Sequence, residues 1–337
     1  MKRITFFAFL IVCFCSAFII ASPNPAKAGT SLTYANFFPP THIQSQLAEG
    51  WCKEVEKRTN GEIKIKYFPA GTLTKAPQTY DGVETGMADI GMTVLAYTRG
   101  RFPLTEAIDL PMGYKSGVQA TKVANAVLNK FNPKEFNDTK IMFLHAHGPG
   151  LIHTRDKKVG NLDELKGLKL RGTGTSGLVQ AALGAVPVGK SMRECYQMLQ
   201  KGVVDGSSHP LEANKGWKLG EVVKYVTESY SCAYTTTFAV FMNKNRWESL
   251  KPAHQKVIQE INAEFAAKHG VAWDEADKAG LEFFKSKGGT VVALSDAEAA
   301  KWQAAAAPVI DKYIEKAGKK GIDGKAVVDF IKANLAD

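Results

Sequence analysis

Leu165-Lys166-Gly167-Leu168-Lys169-Leu170-Arg171-Gly172-Thr173-Gly174-Thr175-Ser176-Gly177 is the stretch that decides the fold class. Leu168 and Leu170 alternate with lysine, as in a short strand with one face toward a core. Arg171 ends that strand, and the glycines lead straight into a helix read over 176–183. A strand that turns at once into a helix is the βα unit of an α/β protein. The carboxyl ends of such strands are where α/β sheets expose their binding crevices. A guanidinium placed there offers a planar fork matched to a carboxylate. A salt bridge from Arg171 to one of the protein's own acids is the structural alternative.

Moving outward, helix and strand patterns alternate through 29–337 with no low-complexity tract or long linker. Leu32 to Ala35 reads as a first strand, ended by Phe37-Phe38-Pro39-Pro40. Thr41 is then expected to cap a helix with Ile43, Leu47, Trp51 and Val55 on its apolar face and Gly61 as its stop. Ile63, Ile65 and Tyr67 alternate with Lys64 and Lys66, a second strand. A helix over 78–85 stops at Gly86, and 87–92 reads as the next strand. Ile141 to Leu144 is a strand running into His145-Ala146-His147-Gly148-Pro149-Gly150. Asn161 to Lys166 and Arg193 to Lys201 read as helices, Val186 to Val188 as a strand. Thr235 to Met242 is expected to cross between lobes. Pro252 to Lys287 is a long helical stretch that Gly270 and Gly280 are expected to kink or divide. Ser295 with Glu298 forms a capping box, and 325–335 closes the chain. One device occurs twice: Gly86-Met87-Ala88-Asp89 and Gly202-Val203-Val204-Asp205 each set a helix-ending glycine three residues before an aspartate. Two lobes built from similar βα units would produce this.

The N-terminus reads as an export signal. Lys2 and Arg3 precede an apolar run over 4–20 broken only by Thr5 and Ser16, and Ala26-Lys27-Ala28 supplies a cleavage pattern. Cleavage of residues 1–28 leaves 309 of the 337 residues and, without Lys2, Arg3 and Lys27, about +7 of the formal +10. Scattered lysines fit an anionic solute or plain solubility, and form no nucleic-acid stripe. Cys52, Cys195 and Cys232 remain in the exported part, an odd number that allows at most one disulfide.

Rival chemistries are named by single motifs. Gly172-Thr173-Gly174-Thr175-Ser176-Gly177 matches the dinucleotide fingerprint, the mark of a periplasmic oxidoreductase. An exported protein has little access to NAD, and Glu194, at the right distance for the ribose contact, falls in a helical pattern. The loop reads better as a close approach whose helix N-terminus, from Gly174, faces a small anion. His145, His147 and His153 suggest a zinc receptor, without a cysteine or acidic cluster beside them. No G-x-S-x-G or H-E-x-x-H occurs, and no catalytic set assembles, so no enzyme and no cofactor are expected.

Residues 165–171 also resemble the signature of TRAP-transporter solute receptors, the DctP family. Phe68-Pro69-Ala70-Gly71-Thr72-Leu73, the segment 82–89, Asp109-Leu110-Pro111, Leu183-Gly184-Ala185-Val186-Pro187-Val188 and the segment 199–206 resemble further family motifs, in family order over nearly the whole exported chain. The resemblance implies a periplasmic, two-lobed α/β receptor of the venus-flytrap type, with hinge strands and a long lobe-spanning helix. It implies a first lobe of 29–150 plus about 239–280 and a second of about 151–238 plus 281–337. Arg171 takes the family's carboxylate-binding position, and Phe37, Phe38, Tyr97, His147, Met192, His209 and Phe238 fall at wall positions. The partners implied are a small organic acid and the small and large membrane subunits of an ion-driven permease, the receptor being a monomer. Two positions depart from the family pattern: 147–150 carries no second arginine, and His209 stands where asparagine is common. One arginine among apolar and aromatic neighbours suits a monocarboxylate with an apolar or aromatic body. A C4-dicarboxylate is the alternative, needing protonated His209 or His147, or Lys190 or Arg193 reaching in.

Overall fold

The computed structural model describes residues 29–336, so the expected signal peptide lies outside the described residues. Among the described residues eleven strands form two sheets. They are β1 (Thr30–Asn36), β2 (Ile63–Phe68), β3 (Ile90–Val94), β4 (Thr139–Ala146), β5 (Leu151–Thr154), β6 (Lys169–Gly172), β7 (Val186–Gly189), β8 (Gly206–His209), β9 (Tyr225–Thr227), β10 (Thr237–Asn243) and β11 (Thr290–Val292). The first lobe is built on the order β2-β1-β3-β10-β4, the second on β11-β9-β5-β8-β6-β7. Each lobe has a parallel trio, β2-β1-β3 or β7-β6-β8, followed by one antiparallel strand. The chain passes from sheet to sheet at 147–150 and returns at 228–236, where Gly150 pairs with Tyr234.

The repeated glycine–aspartate device is the seam of this internal symmetry. Gly86 and Gly202 end their helices with φ of 82° and 69°, which only glycine adopts cheaply. Asp89 then accepts the Thr33 N–H of β1 at 2.7 Å, and Asp205 accepts the Lys169 N–H of β6 at 2.7 Å. Each aspartate thus ties the third strand of its trio to the backbone of the first.

Apolar alternation fills the cores. Leu32, Tyr34, Ile63, Ile90 and Met92 pack against Trp51 and Val55 of the Ile43–Arg58 helix and Ile258, Ile261 and Phe265 of the long helix. Burying side chains of this size contributes roughly 1.5–3 kcal/mol each. Leu151, Cys195, Leu199, Val226 and Phe284 fill the second lobe. Trp302, Tyr313 and Ile331 of the last three helices join Val127 and Leu144 on one side to Leu170 and Val179 on the other. Cys52, Cys195 and Cys232 are all buried and free, and burial pushes the Cys232 thiol up to about 12.

Four local expectations are corrected. His42, not Thr41, caps the first helix, its Nδ1 accepting the Gln44 N–H, and Ile43 is 37% exposed because the helix turns Gln44 and Ser45 inward instead. The third strand begins at Ile90, since Met87 sits 64% exposed in the turn after Gly86. The return crossing ends before Thr237, and β10 lies wholly in the first sheet between β3 and β4. Pro252–Ser286 is a single uninterrupted helix that packs on both lobes. Gly270 and Gly280 are notches in it rather than breaks: a Cβ on Gly270 would meet Thr121 and Val118 at 3.2 Å, and one on Gly280 would press on the Leu211–Glu212 backbone.

Candidate functional site

The strand ends of both sheets converge. β6 delivers Arg171, β8 delivers Ser208 and His209, β1 runs out into Phe37 and Phe38, and β3 into Tyr97; antiparallel β10 enters with Phe238. The register sets Arg171 opposite Val188 of β7 and Ser207 of β8. Leu170 is sealed in the core, so the next side chain must face the other way, into the cleft. Phe37, Phe38, Tyr97, His147, Arg171, Met192, His209 and Phe238 all line one small cavity of about 40 Å³, room for about three waters. Gly174 is not among them. It lines a neighbouring 430 Å³ cleft, and at φ 52° it packs on the opposite lobe, where a Cβ would come within 2.7 Å of Ala96 Cβ. Its glycine serves the approach of the two lobes.

Arg171 is only 4% exposed, and among the described residues no carboxylate pairs with it. Its Nε donates to the Lys190 carbonyl at 2.8 Å and its Nη2 to Thr173 Oγ1 at 2.9 Å. The salt bridge to an acid of the protein itself is therefore not made. A desolvated cation without a counter-ion costs several kcal/mol, and an arriving anion relieves that cost. Tyr97, from the other lobe, accepts the Met192 N–H at 3.0 Å; burial pushes its phenol up while Arg171 pulls it down.

The walls are aromatic. Phe37 stacks on Phe38 at 4.4 Å and lies parallel to Phe238 and Trp217, with centroids 6.4 and 6.2 Å away. Phe238 packs on Trp273 at 5.1 Å, and Tyr234 stands edge-on to His147 at 5.8 Å. The histidines supply no ready cation. Burial pushes His147 down to about 4, against its bond to the Gly148 carbonyl at 2.6 Å. Burial also drives His209 well below the usual imidazole range, with His153, stacked on it at 3.7 Å, and Arg171 adding. Neither His209 ring nitrogen meets hydrogen-bond geometry with a described partner.

Lys190 pairs with Glu194 at 3.3 Å, and Arg193 donates across the lobes to the Ala70 carbonyl and, at 3.4 Å, to that of Phe37. Neither lines the cavity. His145 turns away to accept Trp273 Nε1–H at 3.0 Å. Among the described residues no group of three or more His, Cys, Asp or Glu side chains is placed to hold a metal.

Trp217, Tyr234, Trp273 and Glu212 also line the cavity, and sequence reasoning did not single them out. Trp273 shares a helical face with Phe265 and His269, a spacing that reads simply as core. Trp217 and Glu212 flank a four-residue helix too short for periodicity to place. The one available signal was charge: Glu212 stands in an apolar and small-residue stretch, Pro210 to Ala213.

Comparison with known proteins agrees with this architecture. The bacterial extracellular solute-binding protein family 7, DctP, matches residues 34–317. The chain is 30% identical over 278 residues to the C4-dicarboxylate-binding periplasmic protein DctP of Rhodobacter capsulatus, covering 79% of this chain and 81% of that protein. A marine-metagenome TRAP solute-binding protein specific for aromatic acids, crystallised with 3-hydroxybenzoate, superposes with a TM-score of 0.87 at 32% identity, covering 91% of this chain and 98% of that one. A TRAP solute-binding protein of Rhodoferax ferrireducens, with copurified benzoate, gives a TM-score of 0.86 at 30% identity over 91% and 98% of the two chains. Among the described residues no helix is long and apolar enough to cross a membrane. Two lobes closing on a buried arginine, with the family match running through both, place the chain in the DctP family of TRAP-transporter extracytoplasmic solute-binding proteins.

Proposed function

We propose that this protein captures a small aromatic monocarboxylate between its lobes, with Arg171 holding the carboxylate, and hands it to the membrane subunits of a TRAP permease after export through cleavage at Ala28. The observation that carries this is a nearly buried arginine without a carboxylate partner inside a small, aromatic-walled cavity. An aromatic acid puts its charge on the guanidinium and its ring among Phe37, Phe238, Trp217 and Trp273, where ring contacts add about 0.5–1.5 kcal/mol per pair beyond area burial. The relatives that bind 3-hydroxybenzoate and benzoate support the same class. The Rhodobacter relative's name points to C4-dicarboxylates. Against that, a second buried carboxylate would find no cation here, at a cost of several kcal/mol.

Calorimetry with benzoate, 3-hydroxybenzoate, succinate and malate tests the reading. Tighter binding of succinate or malate than of every aromatic acid would overturn it. Its pH dependence is a second check. His147 is held near 4, below an ordinary imidazole, so protonation that would favour an anion begins only as pH falls toward that value. Benzoate affinity is expected to change by less than about threefold from pH 8 to pH 6, whereas a rise of about tenfold would mean that a histidine cation takes part.

A further inference from the structure

Glu212 is a carboxylate in a cavity where an anion is expected to bind, and neither the fold nor the capture of a carboxylate requires it there. It is 3% exposed, lines the same cavity as Arg171, and reaches across the lobes to His42, Oε2 to Nε2 at 3.0 Å. The ring of His42 has its direction set by the first helix. Its Nδ1 accepts the Gln44 N–H as the helix cap, which leaves the ring proton on Nε2 to donate to Glu212. Oε1 of Glu212 has no partner among the described residues.

The room for this pair is built in. A Cβ on Gly216 would lie 2.6 Å from Glu212 Oε2 and 2.8 Å from His42 Nε2. The pair and Arg171 have different neighbours in the cavity. Arg171 is bonded to Lys190 and Thr173 beside Tyr97, while His42 packs on Phe38 at 4.4 Å and Trp217 at 5.8 Å. Phe37 links the two sets of neighbours, in contact with both Tyr97 and Trp217.

We propose that Glu212, oriented by His42, is a specificity-determining acceptor that reads a hydroxyl or N–H group on the part of the ligand remote from its carboxylate, and that it rejects a second carboxylate. This rests on the aromatic-monocarboxylate reading above. An ionised carboxylate accepts hydrogen bonds and cannot donate them, so it favours a donor substituent and repels an anionic one. A charge-assisted bond in a desolvated site is roughly twice as strong as a neutral one, and leaving that acceptor bare against an unsubstituted ring forfeits it.

The test is calorimetry of the full exported chain and its Glu212→Gln variant with benzoate, 3-hydroxybenzoate, 4-hydroxybenzoate and benzene-1,3-dicarboxylate. At least one hydroxybenzoate is expected to bind wild type about tenfold or more tightly than benzoate, and the ratio to fall to about one to three in the variant. The dicarboxylate is expected to bind the variant more tightly than wild type. If Glu212→Gln is not recovered folded, Glu212→Asp, which withdraws the acceptor by one methylene, is expected to lower the same ratio. Equal binding of all three monoacids to wild type overturns the inference and leaves the aromatic reading standing. Equal losses for every ligand in the variant reduce the His42–Glu212 pair to a lobe latch and overturn it as well. Binding of succinate with no binding of any aromatic acid overturns both readings.

Discussion

Replacing Arg171 by alanine is expected to weaken benzoate binding by at least about 30-fold, with no fall in the melting temperature of the unliganded protein. The first part follows from truncating one partner of a buried, charge-assisted contact, worth about 2–5 kcal/mol, where about 1.4 kcal/mol is tenfold. The second follows from the apo arrangement. Arg171 donates to the Lys190 carbonyl and Thr173 Oγ1, and among the described residues no carboxylate pairs with it. Losing those bonds is offset by no longer burying an uncompensated charge. Arg171→Lys keeps the charge but not the fork, and is expected to recover only part of the affinity. Calorimetry and thermal melts separate the outcomes: unchanged affinity with a lowered melting temperature would make Arg171 a structural residue and end its assignment as the anchor.

Gly280→Ala is expected to destabilise the protein by about 1–3 kcal/mol and to weaken ligand binding as well. Two effects oppose each other at this position. Alanine is favoured over glycine in a helix interior by about 1 kcal/mol. Against that, the new Cβ would sit 2.6 Å from the Leu211 carbonyl carbon and 2.7 Å from Glu212 Cα. Those are backbone atoms, with no flexible side chain to give way, so the clash wins. Relief requires the long helix to move off the segment carrying Glu212, stretching the bond from the Glu212 N–H to Asp277 Oδ1, now 2.7 Å. The control is Gly318→Ala, at the end of another helix, where a Cβ meets nothing within 4 Å and stability is expected to hold or rise. Urea unfolding of the two variants decides the matter; equal stabilities would mean that the lobe contact at Gly280 is soft.

What could be read from the sequence is local. The short strand that carries Arg171 near its end, found at Lys169–Gly172, the helix stops at Gly61, Gly86 and Gly202, and the cap at Ser295 all depend on residues within a turn of one another. Each imposes a backbone geometry or a hydrogen bond that no distant residue is needed to create. The order of βα units, and with it two similar lobes, follows from these signals repeated along the chain. Strands β9 and β11, three residues each, are too short to show a period in the sequence.

The cavity was decided otherwise. Arg171, Phe37 and Phe238 are separated by more than sixty residues and meet only because both sheets direct their strand ends into one cleft. His42 and Glu212, 170 residues apart, form a pair only when the lobes face each other. Whether Arg171 met an acid of its own chain was equally undecidable from its neighbours, because a salt bridge depends on distance in space. Gly270 and Gly280 show the same division: their sequence signal is a weakened helix, yet 35 residues of helix run through them unbroken. Packing against Thr121 and the Leu211–Glu212 backbone requires their missing side chains, and tertiary contact overrides the local propensity for a break.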